Sequence, residues 1–291
     1  MTIPQTLTDF YQLTKFRLSI SVVISSIAGY FLAVHEVDYN ILTLLIIGGF
    51  AMVGASNAFN QLFEKDLDKL MLRTQNRPLP QERMHSRTAL FIGVFLTLIG
   101  VVSLYLINIK TAFFAGLSIF LYACVYTPLK QKTPLSVFVG AFPGAIPFML
   151  GWVAATNEFG IEPGVLFMLQ FFWQFPHFWA IGWTMNEQYQ AAGFRMLPSG
   201  EPDQSTAFQI VFYTLWTVVI SLIPAFEYTG ALYLTPTASL FVLVLGGLFL
   251  YSSVQLMILK TIVAARSLIR MSILYITGIQ LIYVIDKFLL Q

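Results

Sequence analysis

The chain has 291 residues, of which 57 % are hydrophobic and only 10 % are charged, with a mean hydropathy of +0.75. Soluble globular domains carry about a quarter of their residues as charged side chains, so the composition excludes that class and predicts an all-α polytopic membrane protein. The formal net charge of +2 is spread over the loops, which leaves no basic stripe and argues against binding of nucleic acid.

Apolar runs long enough to cross a bilayer follow one another along the chain. A spanning helix needs roughly 17 to 25 apolar residues. Such runs lie near residues 17–34, 41–60, 88–107, 111–127, 135–155, 163–183, 207–225, 236–258 and 268–288. We therefore expect nine transmembrane helices in a single domain over residues 1–291. The fourth run, after Lys110, is short enough to be tilted or irregular.

The distribution of positive charge predicts the orientation. Of the 16 Lys and Arg residues, all except Lys110 and Lys287 fall on one side of the predicted membrane. Because positive charge near span ends concentrates on the cytoplasmic side, the N-terminus is predicted to be cytoplasmic. Two long polar loops, near residues 61–87 and 184–206, then face the cytoplasm. Loops of that length in a compact protein are usually functional.

The end of the second span carries acidic side chains in a helical pattern. Glu64 and Asp68 are one turn apart and share a helix face, with Asn60 beside them, whereas Asp66 lies about 200 degrees round the helix from Glu64. Magnesium is held by one or two carboxylates plus substrate phosphate oxygens. The pair therefore predicts a magnesium site.

Cationic side chains follow at matching spacing. Arg73 and Arg77 are four residues apart, and guanidinium groups bind phosphate oxygens two at a time. Tyr126 and Lys130 follow the fourth span on the same side. The combination predicts binding of a magnesium diphosphate. The alternative is a solvated helix end in which acids pair with nearby lysines for tenths of a kcal/mol each, and spacing alone leaves both interpretations open.

Several motifs resemble a known family, the intramembrane polyprenyltransferases of the UbiA superfamily. Its first aspartate-rich motif reads N-D-x-x-D-x-x-x-D, and this chain has Asn60, Gln61, Glu64 and Asp68 at those positions. Gln61 and Glu64 depart from the pattern. The run from Asn60 to Asp68, followed by M-L-R-T-Q-N-R-P-L, is more similar to the protohaem farnesyltransferase branch, as are residues 126–130, 140–152, 173–179 and 189–198.

The resemblance implies a helical bundle with a central cavity in which farnesyl diphosphate donates its prenyl chain to a vinyl group of haem B with the help of Mg2+. The implied catalytic residues are Asn60, Glu64, Asp68, Arg73, Arg77 and Lys130. The implied metal ligands are Asn60, Glu64, Asp66 and Asp68. The implied substrate-binding residues are Arg73, Arg77, Tyr126, Lys130, Trp173, His177, Glu187 and Arg195.

Three of those residues carry specific hypotheses. The branch usually has an aspartate where this chain has Gln188, so the neighbouring Glu187 is expected to supply the carboxylate. His177 either forms a hydrogen bond between helices or contacts haem, through the iron or a propionate. Arg195 meets a haem propionate or a lipid phosphate.

The resemblance also implies a multi-pass protein of the cell inner membrane whose active site faces the cytoplasm. Its expected partners are haem B, farnesyl diphosphate and the lipid bilayer, and contact with a second copy of the chain or with haem A synthase stays open. One alternative function is prenyl transfer to an aromatic or quinone precursor. Another is anion transport, although a transporter would carry charges towards the midplane of several spans, whereas these cluster at span ends.

Overall fold

The computed structural model describes residues 4–226 and 228–289, which form helices and turns without a strand. The helices are α1 (Gln5–Leu13), α2 (Phe16–Ala33), α3 (Tyr39–Asp68), α4 (Ser86–Tyr105), α5 (Ile109–Phe120), α6 (Thr127–Leu129), α7 (Ser136–Thr156), α8 (Ile161–Thr184), α9 (Asn186–Ala191), α10 (Gln204–Ser221), α11 (Pro236–Leu259) and α12 (Ile262–Leu289). The all-α class predicted from composition is confirmed.

Seven helices within the described residues are long and apolar enough to cross a membrane: α2, α3, α4, α7, α11, α12 and the unit Ile109–Leu129 that runs from α5 to α6. The other two predicted spans correspond to α8 and α10, which are 24 and 18 residues long. Polar and aromatic side chains such as Gln170, Trp173 and His177 lower the hydropathy of α8. The structure thus supports seven spans by composition, and nine stays a prediction.

Consecutive helices pack as neighbours, and α12 closes the bundle by packing against both α2 and α8. Helix α7 is the most buried of the seven apolar helices and packs against α2, α5 and α8. Its approach to α2 depends on glycine, because a Cβ atom on Gly151 would lie 1.8 Å from the Ser26 carbonyl oxygen and one on Gly29 would lie 2.0 Å from the Phe148 carbonyl oxygen. Small residues at such contacts let membrane helices approach closely.

The irregularity expected after Lys110 is present. Helix α5 continues into a π-helix over Leu121–Tyr126 before the short helix α6. Wide π-turns of this kind are rare and occur frequently at functional sites. Here the π-turn brings Tyr126 and Lys130 to one end of the bundle.

That end of the bundle, which we call the loop face, consists of α1, residues 69–85, residues 130–135 and residues 185–203. Its segments bind one another directly: Arg83 Nε lies 3.0 Å from Asp9 Oδ1, and the backbone N–H of Arg195 donates to the Lys130 carbonyl oxygen at 2.7 Å. The two long polar loops predicted from the sequence also meet here, because the backbone N–H of Arg73 donates to Gln188 Oε1.

Candidate active site

A buried ion pair joins α3 to the turn after α6. Lys130 Nζ lies 2.7 Å from Glu64 Oε1, and the two side chains are only 10 % and 6 % exposed. The ammonium group also lies 4.5 Å from the centre of the Tyr126 ring and 5.7 Å from that of Phe194. Aromatic faces attract cations, so the two rings add to the stabilisation that Glu64 gives to the Lys130 ammonium group.

A second buried ion pair lies one turn further along α3. Arg77 Nη1 donates to Asp68 Oδ2 at 2.8 Å, and the Asp68 side chain is only 1 % exposed. The other carboxylate oxygen, Oδ1, is buried and has no hydrogen-bond partner among residues 4–226 and 228–289. Thr74 Oγ1 donates to the Asp68 carbonyl oxygen at 2.9 Å and holds the loop that carries Arg77. The structure therefore pairs each of the two acids with a cation, Asp68 with Arg77 of the first long loop and Glu64 with Lys130 of the turn after α6.

Asn60 links the acidic helix to the π-turn. Its Nδ2 donates to Thr127 Oγ1 at 3.2 Å, and Thr127 Oγ1 donates to the Tyr122 carbonyl oxygen at 2.8 Å. The amide nitrogen is thus occupied, whereas no side chain or backbone group in the described part of the chain donates a hydrogen bond to Oδ1. An amide oxygen is a suitable ligand for a hard cation such as magnesium.

The second long loop reaches the same cluster through Arg73. Its Nη2 donates to the Tyr189 hydroxyl at 3.4 Å, and its backbone N–H donates to Gln188 Oε1 at 3.4 Å. Gln188 stands where the family has aspartate, and its side chain faces the arginine loop. Glu187 is exposed beside it.

Two other predicted residues lie outside the ion-pair cluster. Asp66 is 75 % exposed and lies 3.7 Å from Lys69, as expected from its position round the helix. Arg195 is exposed, and its backbone N–H donates to the Lys130 carbonyl oxygen. In this structure both residues are at the surface of the loop face.

Lys15 belongs to the cluster, although the sequence indicated only a topogenic charge. It lies between α1 and α2 in the left-handed conformation, with φ of 46°, which is uncommon for a residue other than glycine. Gln61, at the first aspartate position of the family motif, stabilises this junction by donating to the carbonyl oxygens of Gln12 and Leu13 at 2.9 and 2.8 Å.

The surroundings of Lys15 lower the pKa of its side chain. Burial, followed by the positive charges of Arg77 and Lys130, lowers the pKa of its ammonium group to about 7, against the opposing effect of Glu64. The only sequence signal was a lysine one residue before a span, which is also what topology requires.

Trp173 and His177 form a separate polar pair on α8. Their rings stack with centroids 4.8 Å apart and planes 18° apart. Both side chains bind Ser272 of α12, the indole through its carbonyl oxygen and the imidazole through its hydroxyl, each at 2.7 Å. The hydrogen bond between helices that the sequence offered as one role for His177 is therefore present.

The described residues contain no group of three or more His, Cys, Asp and Glu side chains that would hold a metal by itself. The cluster instead offers two carboxylates, Glu64 and Asp68, and the amide oxygen of Asn60. Magnesium usually keeps several waters and takes its remaining ligands from substrate phosphates. The donor set fits an ion that arrives with a diphosphate.

Comparison with known proteins identifies the family of the chain. The sequence pattern of the UbiA prenyltransferase family matches residues 22–275. Two relatives, both named protoheme IX farnesyltransferase, come from Christiangramia forsetii and Flavobacterium psychrophilum. Each is 58 % identical and aligns with 97 % of this chain, over 94 % and 95 % of the relative's own length.

Solved structures share the fold at low sequence identity. Digeranylgeranylglyceryl phosphate synthase superposes with a TM-score of 0.80 at 18 % identity and covers 97 % of this chain and 98 % of its own. A UbiA homologue from Archaeoglobus fulgidus bound to DMAPP and Mg2+ superposes with a TM-score of 0.69 at 13 % identity, over 92 % and 99 % of the two chains.

Fold and site together define a membrane-embedded prenyltransferase. The chain belongs to the UbiA prenyltransferase family. The family resemblance read from the motifs is thereby confirmed.

Proposed function

We propose that this protein transfers the farnesyl group of farnesyl diphosphate to a vinyl group of haem B, giving haem O. The observation that carries the proposal is the pair of buried ion pairs, Glu64 with Lys130 and Asp68 with Arg77, at one end of an apolar bundle. Its sequence relatives, 58 % identical over nearly the whole chain, are named for this reaction.

The difficult step is breaking the allylic C–O bond of the donor. The bonding electrons leave with the diphosphate, so negative charge grows on its bridging oxygen. Cations placed around that position stabilise the transition state more than the ground state. Lys130, Arg73 and Arg77 are the proposed cations, and Lys15 adds a fourth.

The carboxylates and cations of the two ion pairs are proposed to change partners when the donor binds. In this structure each carboxylate pairs with a cation, so neither charge is buried alone. When the donor binds, the cations turn to phosphate oxygens and the carboxylates of Glu64 and Asp68 become available for metal. The unpartnered Oδ1 of Asp68 supports this assignment, because it leaves one lone-pair site ready without any bond being broken.

Glu64, Asp68 and Asn60 are the proposed ligands of Mg2+. When bound, the ion would neutralise charge on the departing diphosphate. Two further roles are proposed from the sequence. Asp66 is a further metal ligand, and Glu187 replaces the aspartate of the second loop. Both are exposed here, so a contribution to catalysis would require the loop face to close over the bound donor.

The second half of the reaction joins carbon to carbon. The π electrons of the haem vinyl group attack C1 of the farnesyl cation, and a carbocation remains on the porphyrin side. Water adds there and loses a proton, which leaves the hydroxyl group of the product. Tyr126, already facing the Lys130 ammonium, is proposed to shield the allylic cation with its ring face. Trp173 and His177 are proposed to contact haem, and Arg195 a propionate.

The wider arrangement is also part of the proposal. We place the whole chain, residues 1–291, in one domain with nine spans around a central cavity, the N-terminus and the loop face on the cytoplasmic side of the cell inner membrane. The support is the positive charge of the loop face and the spanning length of α8 and α10. Contact with a second copy or with haem A synthase is a prediction from the resemblance alone.

The direct test is product formation by the purified protein in lipid nanodiscs. Farnesyl diphosphate, Mg2+ and haem B should give a more hydrophobic haem whose mass equals that of haem O. The double variant Asp68→Asn/Arg77→Met should abolish product, whereas Lys132→Met, an exposed cation on the same turn as Lys130, should not. Product with an aromatic or quinone precursor, and none with haem B, would overturn the acceptor assignment.

A further inference from the structure

Ser272 of α12 holds two side chains of α8 at once. Trp173 Nε1 donates to its carbonyl oxygen, and His177 Nδ1 lies 2.7 Å from its hydroxyl oxygen. The indole and imidazole rings are one helical turn apart and stack on each other. The imidazole is therefore fixed in both position and ring orientation.

The hydrogen atoms in this arrangement can be assigned by counting donors. Ser272 Oγ also lies 2.7 Å from the Ile269 carbonyl oxygen. A carbonyl oxygen only accepts, and a serine hydroxyl has one hydrogen to give. Ser272 therefore donates to Ile269 and accepts from His177, so the imidazole carries its proton on Nδ1 and has a lone pair on Nε2.

The lone pair on Nε2 accepts no hydrogen bond from the part of the chain that the structure describes. Among residues 4–226 and 228–289, no hydrogen-bond donor reaches Nε2, and the ring is only partly buried. An unsatisfied polar atom at membrane depth is costly, and His177 lies seven residues before the end of α8, about 10 Å along the helix. The other two histidines, His35 and His85, are exposed outside the apolar helices.

We propose that Nε2 of His177 binds the iron of the haem substrate and that Ser272 sets the tautomer which makes this possible. The inference rests on the proposed function and deepens it by assigning the atom that anchors the acceptor. Histidines that bind metals almost always donate their other ring N–H to a fixed acceptor, and imidazole is a common axial ligand of haem iron. Trp173 is a positioning residue that holds the imidazole plane by stacking.

The test is a titration of the purified protein in nanodiscs with haem B, read by the absorption spectrum and by the iron–imidazole stretching band of the ferrous complex. The wild type should show a histidine-ligated haem. His177→Ala should lose the band, and added imidazole should restore it. His35→Ala is the matched control and should keep the wild-type spectrum.

Ser272 variants separate tautomer control from simple packing. Ser272→Ala removes the acceptor for Nδ1–H and should weaken haem affinity about 10- to 100-fold, as loss of a supporting hydrogen bond does at other metal ligands. Ser272→Thr keeps the hydroxyl and should retain the band and most of the affinity. If His177→Ala does not fold, the two Ser272 variants test the inference on their own. Identical spectra and affinities in Ser272→Ala and wild type would overturn it.

Farnesyl transfer measured on the same samples distinguishes two failures. A wild type that forms haem O, with His177→Ala retaining an unchanged iron–imidazole band, overturns the inference and leaves the proposed function standing. A wild type that neither binds nor prenylates haem B overturns the proposed function and the inference with it.

Discussion

The Glu64–Lys130 pair allows its roles in stability and in catalysis to be separated by a double-mutant cycle. At 2.7 Å and an effective dielectric constant of about 20, the attraction is about 6 kcal/mol before desolvation is subtracted. Removing one partner leaves the other charge buried and unpaired, which costs about 3–5 kcal/mol. Lys130→Met and Glu64→Gln should each lower stability by such an amount, and the double variant should recover much of the loss.

Thermal unfolding in nanodiscs measures the loss of stability. A loss of about 3 kcal/mol should lower the apparent Tm by roughly 5–10 °C, with Lys132→Met as an exposed control. Farnesyl transfer measures the loss of activity. Both single variants and the double variant should lose about 10²- to 10³-fold in kcat, the cost of removing one group that stabilises developing charge.

The contrast between the two readouts is the test. Stability should return in the double variant while activity should not, because the uncharged Met and Gln side chains supply neither the cation proposed to bind phosphate nor the carboxylate proposed to bind metal. A double variant that recovers turnover would refute the catalytic assignment. Single variants with unchanged Tm would refute the claim that the pair is effectively buried.

Three further predictions use other residues of the site. Because the Lys15 pKa is about 7 in the free protein, kcat/KM for farnesyl diphosphate should fall as pH rises above 7, and Lys15→Arg, which stays charged, should extend activity to higher pH. Chelation of Mg2+ should abolish transfer, and Asp68→Asn should raise the Mg2+ concentration needed to restore it; activity that persists in excess chelator would contradict the ligand assignment. Glu187→Gln should lower turnover more at limiting than at saturating Mg2+, and full transfer at both would remove Glu187 from the site.

Lys15 also makes the stability of the protein depend on pH. Its pKa is lower in the folded chain, about 7, than the usual 10.5, so between these values the unfolded chain binds a proton that the folded chain does not. Stability therefore rises with pH across that window, and the penalty is constant below pH 7. A Lys15→Met variant should show a flatter dependence of Tm on pH over this range.

The arrangement of the acidic residues was predictable because it depends on their spacing along one helix. Glu64 and Asp68 share a helix face through the 3.6-residue period, and Asp66 falls on the other side for the same reason. The structure has all three as that period requires. Membrane class and family were likewise readable, from apolar runs and from several motifs in order, and both are confirmed.

The partners of these residues were not predictable from spacing. Which cation meets which carboxylate depends on how the loop after α3 folds back and on the π-turn before Lys130, and no sequence period describes either. The same holds for Gln61, whose amide donates to the last two carbonyl oxygens of α1 from about 50 residues away in sequence. Ser272 is separated from His177 by 95 residues.

The amino-acid sequence alone determined that the chain lies in a membrane, that it is helical, and that acids and arginines stand at regular intervals near one span end. These properties follow from hydropathy and helical periodicity, which act over a few neighbouring residues. Only the tertiary structure decided that Lys15 joins the charged cluster and that His177 presents Nε2, because both depend on contacts between helices that are distant in the chain. Burial gives those contacts their energetic weight, because a charge or lone pair removed from water costs free energy unless the fold or a ligand supplies a partner.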